Sequence, residues 1–202
     1  MKQGKYILYG LYVALSCCLI AIAAMSITIR QYTRQLQSDQ AFFFKEIIGN
    51  ISFLHPYELI SNGFQLPSDF VVTTEEGEKV FLKDIIDTPV LVYRFLETQC
   101  SDCVEKQFKI FSSEKHNLTK NIILWGSYSN VRKIAIIKNA FNINYKAYNV
   151  GEINIPLEKL ANPFFFVITP DLMCHSFYVA IKENPSMTMK YLWTMKTKLD
   201  LD

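Results

Sequence analysis

Charged residues are absent from Tyr6 to Ile29, and Lys5 and Arg30 close the run on either side. At about 1.5 Å rise per residue, such a helix exceeds the roughly 30 Å hydrocarbon core of a bilayer. The pattern predicts a transmembrane helix within residues 1–29, with Tyr6, Tyr9 and Tyr12 placed for an interfacial aromatic belt. A cleavable signal peptide is the alternative, with Ala21-Ile22-Ala23 as its small-x-small site. The apolar run continues through Met25, Ile27 and Ile29 beyond that site, which favours an uncleaved anchor. Cys17 and Cys18 lie within the run and read as lipid-facing or packing residues. A stem follows over 30–62: polar to Gln40, then rich in Phe42, Phe43, Phe44, Ile47, Ile48 and Ile51. That second half is too apolar for a free linker and is expected to pack on the following domain, on the membrane surface or on a partner, the first being favoured.

From Gly63 the spacing changes to short alternating elements. Phe70–Thr73 and Lys79–Phe81 read as a hairpin around Glu75-Glu76-Gly77. Val90-Leu91-Val92-Tyr93-Arg94-Phe95-Leu96 reads as a buried strand. Val104, Phe108 and Phe111 then recur at helical spacing, with Glu105, Lys106 and Lys109 between them. Strand 121–125, a helix over about 130–142 and strand 145–150 follow. Phe164–Ile168 and Ser176–Val179 bracket a Pro170-Asp171 turn, and Met187–Leu199 closes the chain as a helix. Strand-helix alternation of this kind predicts an α/β domain over 63–202 with parallel pairing and crossovers.

Charge narrows the function. Lys2 and Lys5 account for the whole formal net charge of +2, so residues 30–202 are formally neutral. A nucleic-acid partner is not expected, because binding one needs a basic face that displaces counterions.

Two of the five cysteines form the chemical signal. Cys100-Ser101-Asp102-Cys103 stands where the strand ending at Leu96 gives way to the helix. Unpaired N–H groups and the positive end of the helix dipole there favour a thiolate on the first cysteine. Cys-x-x-Cys in that setting reads as a dithiol/disulfide redox centre. A structural zinc site would need a second short-spaced Cys/His pair, whereas Cys17, Cys18, Cys174, His55, His116 and His175 are scattered. A purely structural bridge is the weaker competitor, since such bridges usually staple domains too small to hold a core.

The order of these features resembles membrane-anchored thioredoxin-like proteins, closest to the TlpA/ResA group of bacterial cell-envelope thiol-disulfide oxidoreductases. The residues that carry the resemblance are the hairpin entered from Gly63–Phe70, Pro89 leading into the strand before Cys100-Ser101-Asp102-Cys103, and Asn162-Pro163 leading into Phe164–Ile168. It implies a thioredoxin-like three-layer fold with a central mixed sheet. It also implies that Pro163 is a cis-proline facing the cysteines, the preceding backbone being exposed to pair with an extended substrate. Cys100 would attack a substrate disulfide and Cys103 would resolve the mixed disulfide. No bound cofactor and no metal is expected. The implied partners are a disulfide-containing envelope protein and a DsbD/CcdA-type membrane electron donor, and a short N-terminal tail before the anchor places the domain on the extracytoplasmic side.

Three positions depart from that pattern. The family's aromatic residue before the first cysteine is Gln99, and thioredoxin's buried acid six residues before it falls on Arg94. Glu97 could pair with Arg94, accept the proton of Cys103, or lie on the surface. Asp102 places a negative charge beside the thiols, which disfavours thiolate and points to a reductant rather than a DsbA-like oxidant. A peroxiredoxin would need threonine where Glu97 stands, Thr98 being one place late. A SCO-type copper chaperone, with His175 as third ligand, usually spaces its cysteines by three residues. A membrane-anchored non-catalytic adaptor is the remaining alternative.

Overall fold

The computed structural model describes residues 25–35, 54–114, 118–160 and 162–200. The chain divides into two units, Met1–Asn50 and Ile51–Asp202. In the first, residues 25–35 are helical, with Met25, Ile27 and Ile29 exposed. Among the described residues no helix is long and apolar enough to cross a membrane. Most of the expected anchor and the aromatic part of the stem, 42–53, lie outside the described residues.

The second unit is built on one mixed sheet. Its strands are β1 (Phe64–Gln65), β2 (Val71–Thr74), β3 (Lys79–Phe81), β4 (Val90–Leu96), β5 (Ile122–Ser127), β6 (Lys146–Asn149), β7 (Phe164–Ile168) and β8 (Met173–Val179). Their spatial order is β1-β8-β7-β4-β5-β6-β2-β3. β4 pairs in parallel with β5, and β5 with β6, while β7 runs antiparallel to β4. The helices are α1 (residues 54–61), α2 (Ser101–Glu114), α3 (Arg132–Ala140) and α4 (Pro185–Leu199).

Both faces of the central strands are covered, which is why β7 is a continuous apolar run and β4 is one but for Arg94. Leu91, Tyr93 and Phe95 of β4 join Phe165 and Val167 of β7 on one face, under Val104, Phe108 and Phe111 of α2, Ile134 of α3 and Leu192 and Met195 of α4. Val90, Val92, Phe164, Phe166 and Ile168 point the other way. They are covered by Leu54 of α1, by Leu82 and Ile86, and by the irregular segment containing Val150, Ile155 and Leu157. Gly126 on β5 permits close approach of α3: a Cβ there would lie 2.6 Å from Ile134 Cδ1. Gly77 takes φ +92° in the β2–β3 turn, the conformation that made glycine the hairpin signal.

The last hairpin is longer than the pattern suggested. β8 starts at Met173, because Ser176 adopts φ +57° and forms a bulge between Phe165 and Val167 of the partner strand. The bulge is held from both sides: Ser176 N–H donates to Asn62 Oδ1 at 2.7 Å, and Tyr191 Oη donates to the Ser176 carbonyl at 2.7 Å. Glu58 of α1 accepts the Val179 N–H at 2.8 Å. Residues 58–62 therefore pack on β8 as part of the second unit.

Candidate active site

The carboxyl end of parallel strand β4 delivers the chain to α2, and Cys100 is the residue just before that helix. The N–H groups of Cys103 and Val104 donate to the Cys100 carbonyl at 3.1 and 3.2 Å, so the first turn closes on the cysteine itself. Its side chain receives a further bond, from Cys103 N–H to Cys100 Sγ at 3.4 Å. Cys100 is partly exposed, whereas Cys103 is 5% exposed, and both are thiols here. That asymmetry follows from the helix: three residues on, the side chain turns from solvent toward the buried side of α2.

The two sulfurs consequently differ in acidity. Hydrogen bonding from the Cys103 side chain, and then from its N–H, lowers the Cys100 pKa, with a smaller contribution from the ammonium of Lys182. Burial, reinforced by the hydrogen bond to Cys100 and by that sulfur's charge, pushes Cys103 up to about 12. Cys100 is thus the thiolate former and Cys103 the retained thiol.

Gln99 is 8% exposed. Its Oε1 accepts the Leu96 N–H at 3.0 Å and its Nε2 donates to the Asn162 carbonyl at 2.8 Å. The residue before the first cysteine is thereby tied to the residue before Pro163. Pro163 itself enters β7, and its carbonyl accepts the Ala180 N–H at 3.0 Å. The expectation of a cis bond at Pro163 is corrected: among the described residues no peptide bond is cis. A trans bond is the lower-energy form before proline by about 0.5–1 kcal/mol and lets the chain run extended into β7. The Asn162 carbonyl, expected to be free for a substrate strand, is occupied by Gln99.

Arg94 is fully buried on the face of β4 opposite α2. Its Nη2 lies 2.5 Å from Glu158 Oε1, its Nε donates to the same oxygen at 2.9 Å, and its remaining donors reach the carbonyls of Val150 at 3.0 Å and Gly151 at 2.7 Å. Glu158 Oε2 accepts the Ile153 N–H at 2.9 Å. A buried guanidinium persists only when so completely paired. Its partner is Glu158, and the proposed pairing with Glu97 does not occur.

Glu97 faces α3 instead. It is bonded to Lys133 and accepts the Ser129 N–H at 2.9 Å, contacts that hold its carboxyl down to about 2. A carboxylate so stabilised is a poor proton acceptor, which removes the physical basis for assigning it the proton of Cys103. The carboxylate whose charge acts on Cys103 is Glu183.

Lys182, which sequence spacing did not single out, stands in the turn between β8 and α4. Its Nζ is 3.5 Å from Asp102 Oδ2. Eighty residues separate the pair, and no local pattern could have joined them. A cleft of about 370 Å³ opens on the other flank of the motif, with Val104, Tyr128, Ile137 and Phe141 among its lining groups. A second cleft of about 320 Å³, around Thr88, Lys120 and Lys146, holds none of these residues.

His175 is not brought to the thiols as a third ligand. Its Nδ1 lies 2.9 Å from Ser176 Oγ, and among the described residues no group of three or more His, Cys, Asp or Glu side chains is assembled as a metal site requires. Cys174 is fully buried, and burial pushes its thiol up to about 12, so it is an inert core residue.

No protein-family model matches the chain, and no curated protein matches it. Solved structures do. A cysteine-to-serine variant of peroxiredoxin Q from Xanthomonas campestris superposes with TM-score 0.53 at 10% identity, covering 69% of this chain and 99% of that one. A secreted Mycobacterium tuberculosis disulfide oxidoreductase, described as homologous to Escherichia coli DsbE, gives 0.42 at 14% identity, covering 61% and 94%. The thioredoxin domain of a Bacteroides vulgatus thiol-disulfide oxidoreductase also gives 0.42 at 14%, covering 65% and 97%. At 10% identity the likeness to peroxiredoxin Q shows the fold alone.

Proposed function

We propose that this chain, whose fold is the thioredoxin-like mixed α/β type, carries out thiol-disulfide exchange as a membrane-anchored protein. The domain would face the extracytoplasmic side and reduce disulfides of envelope proteins. The observation that carries the reading is the asymmetric dithiol: a partly exposed, acidified Cys100 at the head of α2 and a buried, proton-retaining Cys103 one turn on. The pair meets the two needs of exchange, an attacking thiolate and a resolving thiol held in reserve.

In the first step the Cys100 thiolate attacks one sulfur of the substrate disulfide. A Cys100–substrate bond forms, the substrate S–S bond breaks, and the displaced sulfur leaves as a thiolate that takes a proton from solvent. Cys103 then loses its proton to solvent and attacks Cys100 Sγ, forming the Cys100–Cys103 disulfide and releasing the second substrate sulfur. Two electrons pass to the substrate. Their replacement would come from a membrane thiol transporter of the DsbD/CcdA type, supplying the dithiol anew. Burial of the resolving sulfur limits its competition for substrate, which favours passage through the mixed disulfide.

The test is disulfide reduction by the full-length protein in detergent, with insulin as substrate, comparing wild type with Cys100→Ser. Loss of activity in the variant supports the reading, and equal rates would refute it. Cys103→Ala should accumulate the mixed disulfide and carry the cellular substrate with it. Hydrogen peroxide consumed faster than insulin is reduced would point to a peroxidase instead.

A further inference from the structure

Asp102 taken alone opposes a thiolate on Cys100, since it places a negative charge inside the motif. In the fold it is shared by two lysines. Lys106 Nζ is 3.7 Å from Asp102 Oδ2, one helical turn away, and this contact is available wherever α2 forms. Lys182 Nζ is 3.5 Å from the same oxygen and 3.9 Å from Glu183 Oε1, and it arrives only when the β8–α4 turn docks beside α2. All three partners retain solvent contact, Asp102 being 54% and Lys182 36% exposed in their side chains. The pair is therefore too weak to be explained as a staple of the fold.

Its position gives it another use. The ammonium of Lys182 favours the charged form of both sulfurs, and the sulfurs in turn raise the pKa of Lys182. Lys106 is ion-paired with the carboxylate. The charged groups gathered around the dithiol are Asp102 and Lys106 from α2, and Lys182 and Glu183 from the β8–α4 turn. Tyr93 of β4 has a buried hydroxyl, its own pKa raised chiefly by burial, then by Tyr128 and by the Cys103 charge. Glu97 is engaged with Lys133 on the far flank. Lys182 is the cation of this set that arrives from a separate element.

We propose that Lys182 is the positioning residue of the exchange reaction, a cation divided between Asp102 and the dithiol that supports the Cys100 thiolate before attack and returns to Asp102 once that sulfur is bonded. The same charge eases loss of the Cys103 proton in the resolving step. The inference rests on the exchange reading above, and it adds the β8–α4 turn to the hydrogen bonds at the helix end as a contributor to thiolate content. Asp102 then acts as a competitor for Lys182 as well as a repelling charge.

The test uses full-length protein in detergent, with two readouts that need no substrate: the pH profile of Cys100 alkylation by iodoacetamide, and the reduction potential in glutathione buffers. Lys182→Gln should reduce the Cys100 thiolate fraction near neutral pH by about two- to five-fold, the range for a solvent-exposed charge pair. It should also move the potential downward, because destabilising the thiolate destabilises the reduced form. Lys182→Arg should restore both, and Lys106→Gln should change them less. In an Asp102→Asn background the effect of Lys182→Gln should grow, since the lysine is then undivided. An unchanged profile in Lys182→Gln, an equal shift in Lys106→Gln, or a smaller effect in the Asp102→Asn background would each overturn the assignment. Should these shifts appear while insulin is not reduced, the exchange reading fails and the charge assignment stands.

Discussion

Gln99 Nε2 donates to the Asn162 carbonyl at 2.8 Å, so the residues immediately preceding Cys100 and Pro163 are joined by one buried side chain. Its other end accepts the Leu96 N–H at 3.0 Å. A single amide thus spaces the nucleophile's strand from the proline segment. This geometry gives the polar side chain at position 99 a partner at each end.

Replacing Gln99 by Met retains length and removes both bonds. It leaves a half-buried N–H and a half-buried carbonyl without their partner, at up to about 1 kcal/mol for each lost bond. The denaturation midpoint in urea is expected to fall accordingly, and exchange with a folded protein disulfide should slow more than exchange with a small one. A variant as stable as wild type would show that the Asn162 segment is held by other contacts.

Glu158→Ala would strand the Arg94 guanidinium, which is fully buried. Breaking one side of a buried pair typically costs about 3–5 kcal/mol, while replacing both partners with apolar residues of similar size is often neutral. Chemical denaturation should therefore rank Glu158→Ala well below wild type and the double variant Arg94→Met/Glu158→Leu above Glu158→Ala.

The cysteines set a dependence on alkaline pH. Cys103 and Cys174 are both pushed up to about 12, so the folded chain keeps protons that the unfolded chain releases near the ordinary thiol value of 9.0. The folded state then binds more protons than the unfolded one, and stability must fall as pH rises from about 9 toward 12. Cys174→Ala should flatten part of that fall. A urea midpoint constant between pH 8 and pH 11 would contradict the burial of these thiols.

Tyr93 carries a fully buried hydroxyl with no hydrogen-bond partner among the described residues. Its ring is packed against Phe95 at 5.2 Å and Phe165 at 4.8 Å between centroids. Tyr93→Phe retains those ring contacts and removes the unpaired polar atom, so the melting temperature should hold or rise. A loss of unfolding free energy above about 1 kcal/mol would mean that the hydroxyl is satisfied in solution.

Under the proposed topology, a reporter fused after Asp202 should be active only outside the cytoplasm, and the chain isolated from membranes should retain Met1 or begin close to it. An N-terminus near Ala24 would replace the anchor with a cleaved signal peptide and leave the dithiol chemistry as it is.

Sequence alone determined the elements that local pattern dictates. The run from Val90 to Leu96 became β4, Phe164–Ile168 became β7, and Cys100 stands at the head of α2, because buried strands and amphipathic helices write their burial into residues only a few places apart. The difference between the two cysteines was legible for the same reason: three residues along a helix carry a side chain from solvent toward the core. What tertiary structure decided is every pairing across a long stretch of chain. Arg94 met Glu158 rather than nearby Glu97, Gln99 turned inward to Asn162, Pro163 took a trans bond, and Lys182 came to Asp102. Those outcomes depend on which segments the sheet order brings together. A charged or amide side chain can satisfy itself with any partner that folding supplies, so its sequence neighbours do not name the one it will choose.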